Sequence, residues 1–102
     1  MGIGMQIVYL GFAGSAPIEA EAGAQFVRLE RFWKIISGCH LAIEALHDRA
    51  GHVMYDARLD LITRANELIP VRHCRNEDAH AALQGAFDAA EQQLESAGHV
   101  GA

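Results

Sequence analysis

Apolar residues along this chain recur with two different periods, and the points where the period changes mark out the elements. Gln6-Ile7-Val8-Tyr9-Leu10-Gly11-Phe12 is rich in strand formers and runs into Gly14-Ser15, which predicts a first strand and its exit turn. The period then lengthens: Ile18, Ala22, Phe26, Leu29, Trp33 and Ile36 recur at steps of three or four, one face of an α-helix. Ser15 is placed to cap that helix and Pro17 fits its first turn. Glu19 and Glu21 near its start and Arg28, Arg31 and Lys34 toward its end suit the helix dipole, and Ser37-Gly38 predicts its stop. The stripe puts Trp33 among Phe26 and Leu29, so it is expected to be buried between helix and sheet.

Strict alternation follows. In residues 39–46, Leu41, Ile43 and Ala45 share one face and His40, Ala42 and Glu44 the other. Asp48-Arg49-Ala50-Gly51 reads as a hairpin loop. In residues 53–61, Val53, Tyr55, Ala57, Leu59 and Leu61 oppose Met54, Asp56, Arg58 and Asp60, the pattern of a sheet with one packed face and one wet face. After a turn at Arg64-Ala65-Asn66, residues 67–74 predict a fourth strand, which Pro70 confines to an edge. Asn76, Glu77 and Asp78 are cap candidates for a last helix with a stripe of Ala79, Leu83, Ala86, Phe87, Ala90, Leu94 and Ala97. Gly98 is its expected C-cap, with a frayed tail over 98–102.

The order β-α-β-β-β-α predicts an α+β fold. A right-handed crossover makes the first two strands parallel neighbours, the remaining strands form an antiparallel meander, and both helices cover one face of a four-stranded mixed sheet. The 102 residues are expected to form one domain, with a body over 5–97 and flexible ends at 1–4 and 98–102.

Composition narrows the function classes. No apolar run approaches the roughly 20 residues a membrane helix needs, and the start has no basic, signal-like region, so a cytoplasmic location and no membrane partner are expected. Cys39 and Cys74 are too few for a disulfide framework, and the predicted topology sets them at opposite ends of the sheet, so both are expected as reduced thiols. His47 and His52 flank one hairpin, and His73 and His80 flank the start of the last helix. Neither pair has a convincing third ligand, so no metal and no cofactor is expected. Neither cysteine has a marked base, and Asp56 and Asp60 read as a solvated sheet face with Arg58 between them. No enzyme and no small-molecule substrate is expected.

Two stretches carry a resemblance. Leu29-Glu30-Arg31-Phe32-Trp33 is followed six residues later by Cys39-His40. Further on come Glu77-Asp78-Ala79-His80-Ala81-Ala82-Leu83, then Phe87-Asp88-Ala89-Ala90 and Gln93-Leu94. With the strand-like runs between them, these resemble the short hibernation-promoting factor and ribosome-associated translation inhibitor family, from Met5 to about Ala97. The resemblance implies a fold related to the double-stranded-RNA-binding domain with an extra leading strand. It also implies a non-enzymatic protein whose partner is the small ribosomal subunit and its rRNA, where such proteins block the mRNA and tRNA channel. In that family the last helix usually presents lysines and arginines, often as an arginine pair before the Gln-Leu step. Here the pair is Glu91-Gln92, and between Glu77 and Ala102 there are five acidic residues and no Lys or Arg.

With a formal net charge of −5, phosphate contact must come from a local patch. Arg58, Arg72 and Arg75, with His73, are the candidate rRNA-binding residues; alternatively these arginines pair with Asp56, Asp60, Glu44 and Glu77 as surface ion pairs. A second candidate surface is the helical ridge Ala81, Gly85 and Ala89, spaced by four, which would let another helix approach closely. It supports the alternative reading, a module of the same fold that binds a protein partner or forms a homodimer without RNA.

Overall fold

The structure, a computed structural model, describes residues 3–101, with side chains as far as Ser96 in the last helix. β1 (Gly4–Leu10) leads into α1 (Ala16–Phe26), where the Ser15 Oγ accepts a hydrogen bond from the Ile18 amide at 3.3 Å and Pro17 occupies the first turn. The helix then tightens into a 3₁₀ turn, Val27–Phe32, continued by the bonds from Trp33 N–H to Glu30 O and from Ile35 N–H to Phe32 O. A 3₁₀ turn has three residues per turn, so positions i and i+3 align. Leu29 and Phe32 therefore both face the core, and Trp33, expected to be buried at the fourth step, is turned outward and 39% exposed. Lys34 Nζ lies 5.5 Å from its ring centroid.

β2 (Ile36–His47) begins earlier than the sequence suggests and runs through Ser37-Gly38, where a helix stop is expected. Gly38 has another task. A Cβ there would sit 2.6 Å from the Gly4 carbonyl oxygen, so its absence lets β1 lie close alongside. β1 and β2 are parallel from Gly4↔Gly38 to Leu10↔Glu44, as the crossover rule requires. β3 (Val53–Thr63) returns antiparallel to β2. The hairpin is held by Asp48, whose Oδ1 accepts from the Ala50 and His52 amides, each at 2.9 Å.

The expected fourth strand is two short pieces on the same side of β3: β4 (Leu68–Pro70) and β5 (Cys74–Asn76). Asp60 pairs with Pro70 and Ala57 with Cys74, so Arg58 and Leu59 on β3 face Val71, Arg72 and His73. One residue is extra, a β-bulge at the edge that Pro70 marks.

α2 (Ala79–Gly101) is capped by Asp78, whose Oδ1 accepts from the His80 amide at 3.1 Å. It continues past Gly98, where a stop is expected; a helical glycine costs about 1 kcal/mol relative to alanine and does not by itself end a helix. Ala97, the final position of the expected stripe, lies beyond the side chains described, and Met1, Gly2 and Ala102 lie outside the described residues. One core lies between the inner sheet face and the helices. Leu41, Ile43, Leu59 and Leu61 meet Leu29, Phe32, Leu83, Phe87 and Leu94 there, all buried. Cys39 is opposite Leu61 and Cys74 opposite Ala57, on the two sides of β3 and about 13 Å apart along it. Both thiols are free.

Candidate nucleic-acid interface

The strand-side cations gather around an acid that the alternation places on a wet face. Asp56, expected to be solvated like Asp60, is only 4% exposed. Its Oδ2 lies 3.2 Å from His73 Nδ1 and 3.8 Å from Arg75 Nε, while its Oδ1 is buried with no hydrogen-bond partner among the described residues. β5 sets Arg75 directly across from Asp56, and the bulge brings His73 onto the same carboxylate. Arg58 stands on the same face of β3, about 7 Å along from Asp56. Arg72 goes the other way. It lines a shallow polar recess with Ala89, Gln92, Gln93 and Ser96 of α2, on the helix side of the sheet edge. The structure thus brings Arg58, His73 and Arg75 together and sets Arg72 around the corner. Of the ion pairs expected for these arginines, only Arg75 with Asp56 forms among the described residues.

The acidic face of α2 is committed within the molecule. Arg28 Nη2 lies 2.7 Å from Asp88 Oδ1 and 2.5 Å from Glu91 Oε1, and Arg28 Nε donates to the same Glu91 oxygen at 3.1 Å. Arg31 Nη2 reaches Glu91 Oε2 at 3.0 Å and Glu95 Oε2 at 3.2 Å. The 3₁₀ turn is what aligns the two arginines, three residues apart, while Asp88, Glu91 and Glu95 share one face of α2 by steps of three and four. Glu91 is the hub. Hydrogen bonds from Arg28 and then Arg31 hold its carboxyl below the usual range, and the same bond raises Arg28. The five acids between Glu77 and Ala102 are expected to repel phosphate; the three that lie within α2 instead neutralise Arg28 and Arg31, and those arginines are occupied.

The small-residue ridge of α2 is turned toward the chain's own sheet. Ala89 is buried at 6% exposure, and a Cβ on Gly85 would run into Cys74 Sγ. That close approach to β5 explains a glycine in mid-helix; Ala81, a turn earlier, is half-buried. The histidines are dispersed: His52 pairs with Asp48, and His80 Nδ1 is 3.8 Å from Glu21. No group of three metal-ligating side chains occurs among the described residues, and no described helix is long and apolar enough to cross a membrane.

No protein-family model matches the chain, and none of the curated proteins does. Solved structures do. A ribosomal subunit interface protein from Coxiella burnetii superposes with a TM-score of 0.70 at 15% identity, over 95% of this chain and 99% of that one. The N-terminal domain of Thermus thermophilus Protein Y superposes with a TM-score of 0.73 at 17% identity, over 94% of this chain and 98% of that one. The molecule has the α+β fold of these two proteins along nearly its whole length, the fold that the hibernation-factor resemblance implies.

Proposed function

We propose that this protein is a ribosome-associated translation inhibitor of the hibernation type. It is a non-enzymatic, cytoplasmic factor that docks on the small ribosomal subunit and keeps mRNA and tRNA out of their channel. The observation that supports this most directly is the end-to-end likeness in fold to a ribosomal subunit interface protein. Contact with rRNA then rests on Arg58, Arg72, His73 and Arg75. Arg28 and Arg31 are held by α2, whereas Arg58 and Arg72 have no carboxylate within ion-pair distance among the described residues.

Co-sedimentation with purified small subunits tests the proposal. Binding is expected at low salt and should weaken as salt rises, with a slope of about −0.7 to −0.9 per phosphate contact and so a shallow total. Replacing Arg58, Arg72 and Arg75 together by Gln should abolish it. Absence of binding at low salt, or binding indifferent to both salt and the triple substitution, would overturn it. One observation favours the second reading, a protein-binding or homodimerising module without RNA: in a chain of net charge −5, Arg28 and Arg31 are already neutralised by α2.

A further inference from the structure

The two edges of the sheet are built differently. The β4–β5 edge is broken into two three-residue pieces, bulged, interrupted by Pro70 and flanked by Arg72, His73 and Arg75. These are the devices by which proteins keep a sheet edge from pairing with another chain. The β1 edge has none of them. It runs seven residues in unbroken register with β2, with no proline and no charged side chain. No charged side chain precedes Glu19 anywhere in the sequence. No backbone hydrogen bond among the described residues reaches the open side of β1. Its inward side chains, Met5, Ile7 and Tyr9, pack on the core but remain only partly buried, and outward-facing Val8 is 51% exposed.

We infer that β1 is an interaction strand whose partner is the β1 of a second copy of this chain, paired antiparallel about a two-fold axis. The register that pairs all seven residues puts Ile7 at the axis, with Gln6 facing the partner's Val8 and Met5 facing the partner's Tyr9. Both faces stay in phase: apolar inward residues meet apolar inward residues and extend the core across the junction. Self-pairing brings no like side-chain charges together in the strand itself, although each chain carries −5 overall. An uncharged strand also offers an acidic or basic peptide nothing to select it. Because the opposite edge is blunted, the assembly closes at two copies and does not grow into a fibre. The contact is independent of ribosomes and so goes beyond the proposed function.

Sedimentation equilibrium of the full chain without ribosomes tests it, from about 10 μM to about 1 mM, the range in which an interface of this small size dissociates. The weight-average mass should rise from 11.1 kDa toward twice that value. Gln6→Lys with Val8→Lys, at two exposed positions that face each other's copies across the axis, should hold the mass at the monomer value with an unchanged thermal melt. A mass that stays monomeric in the unsubstituted chain, or a dimer that survives both lysines, overturns the inference. Should the lysine variant fail to fold, hydrogen exchange on the unsubstituted chain decides. Slower exchange of β1 amides at high concentration supports the pairing, and concentration-independent exchange overturns it.

Discussion

Replacing Glu91 by Gln keeps the shape of the side chain and removes the charge that joins the 3₁₀ turn to α2. The unsubstituted carboxylate takes two bonds from Arg28, at 3.1 and 2.5 Å, and one from Arg31 at 3.0 Å. Glu91 and Arg28 are 22% and 31% exposed at the side chain, while Arg31 is 53% exposed and largely screened. Exposed pairs are worth about 0.2–1 kcal/mol. Two-point contact with one partly buried guanidinium belongs at the upper end, so the substitution should cost about 1 kcal/mol at pH 7 and low salt. In a domain of this size that is about 4–8 °C in Tm. The folded-state pKa of Glu91 is depressed, so its contribution is present above the unfolded value of about 4.3 and lost as pH falls through the folded value. Asp48, also lowered by bonds from His52, titrates in the same acid range but is common to both proteins and cancels in the difference. Urea unfolding of the two proteins from pH 7 to pH 3 should therefore show a gap that narrows with acid and with salt. Equal stability at pH 7, or a gap undiminished at pH 3, would refute the hub.

Glu91→Arg should be worse than Glu91→Gln in the same assay, because it sets a third guanidinium against Arg28 and Arg31. Phe32→Ala should cost about 3–5 kcal/mol and Trp33→Ala under about 1 kcal/mol, since the 3₁₀ turn buries the first and exposes the second; denaturant unfolding that reverses this order would refute the turn. Gly85→Ala should destabilise by about 1–3 kcal/mol despite alanine's better helix propensity, with Cys74→Ala restoring part of the loss in a double-mutant cycle. Burial pushes the Cys39 thiol up to about 12, so at pH 8 it should resist alkylation until the chain unfolds, as mass spectrometry would read.

The order of elements and the parallel crossover are legible because alternation along β2 and β3 and the three-to-four spacing along α2 are sustained over several turns. Pro70 is legible for a chemical reason, as it has no N–H to give a central ladder. The 3₁₀ turn is not, because Phe32 and Trp33 are adjacent aromatics and a helical stripe can be drawn through either. Asp56 misleads for a different reason. Its place on the alternating outer face is read correctly, but it is His73 from the bulge and Arg75 from β5 that close over it. The Arg28–Glu91 contact spans β2 to β5 in sequence, and neither segment alone announces its partner. The cations of the candidate interface are thus visible as residues, whereas which of them are already occupied is a property of the packing.

The extra residue between Pro70 and Cys74 sets what this edge can present. A regular strand offers one outward side chain for every two residues. Here two positions of β3 are spanned by three residues, and consecutive side chains leave on different sides, His73 toward Asp56 and Arg72 toward the end of α2. Deleting either one would sew β4 and β5 into a continuous ladder without changing the face of Val71, Cys74 or Arg75, because the alternation on both sides is already in phase. The fold would survive a one-codon deletion there, but the edge would then reach around only one side of the sheet.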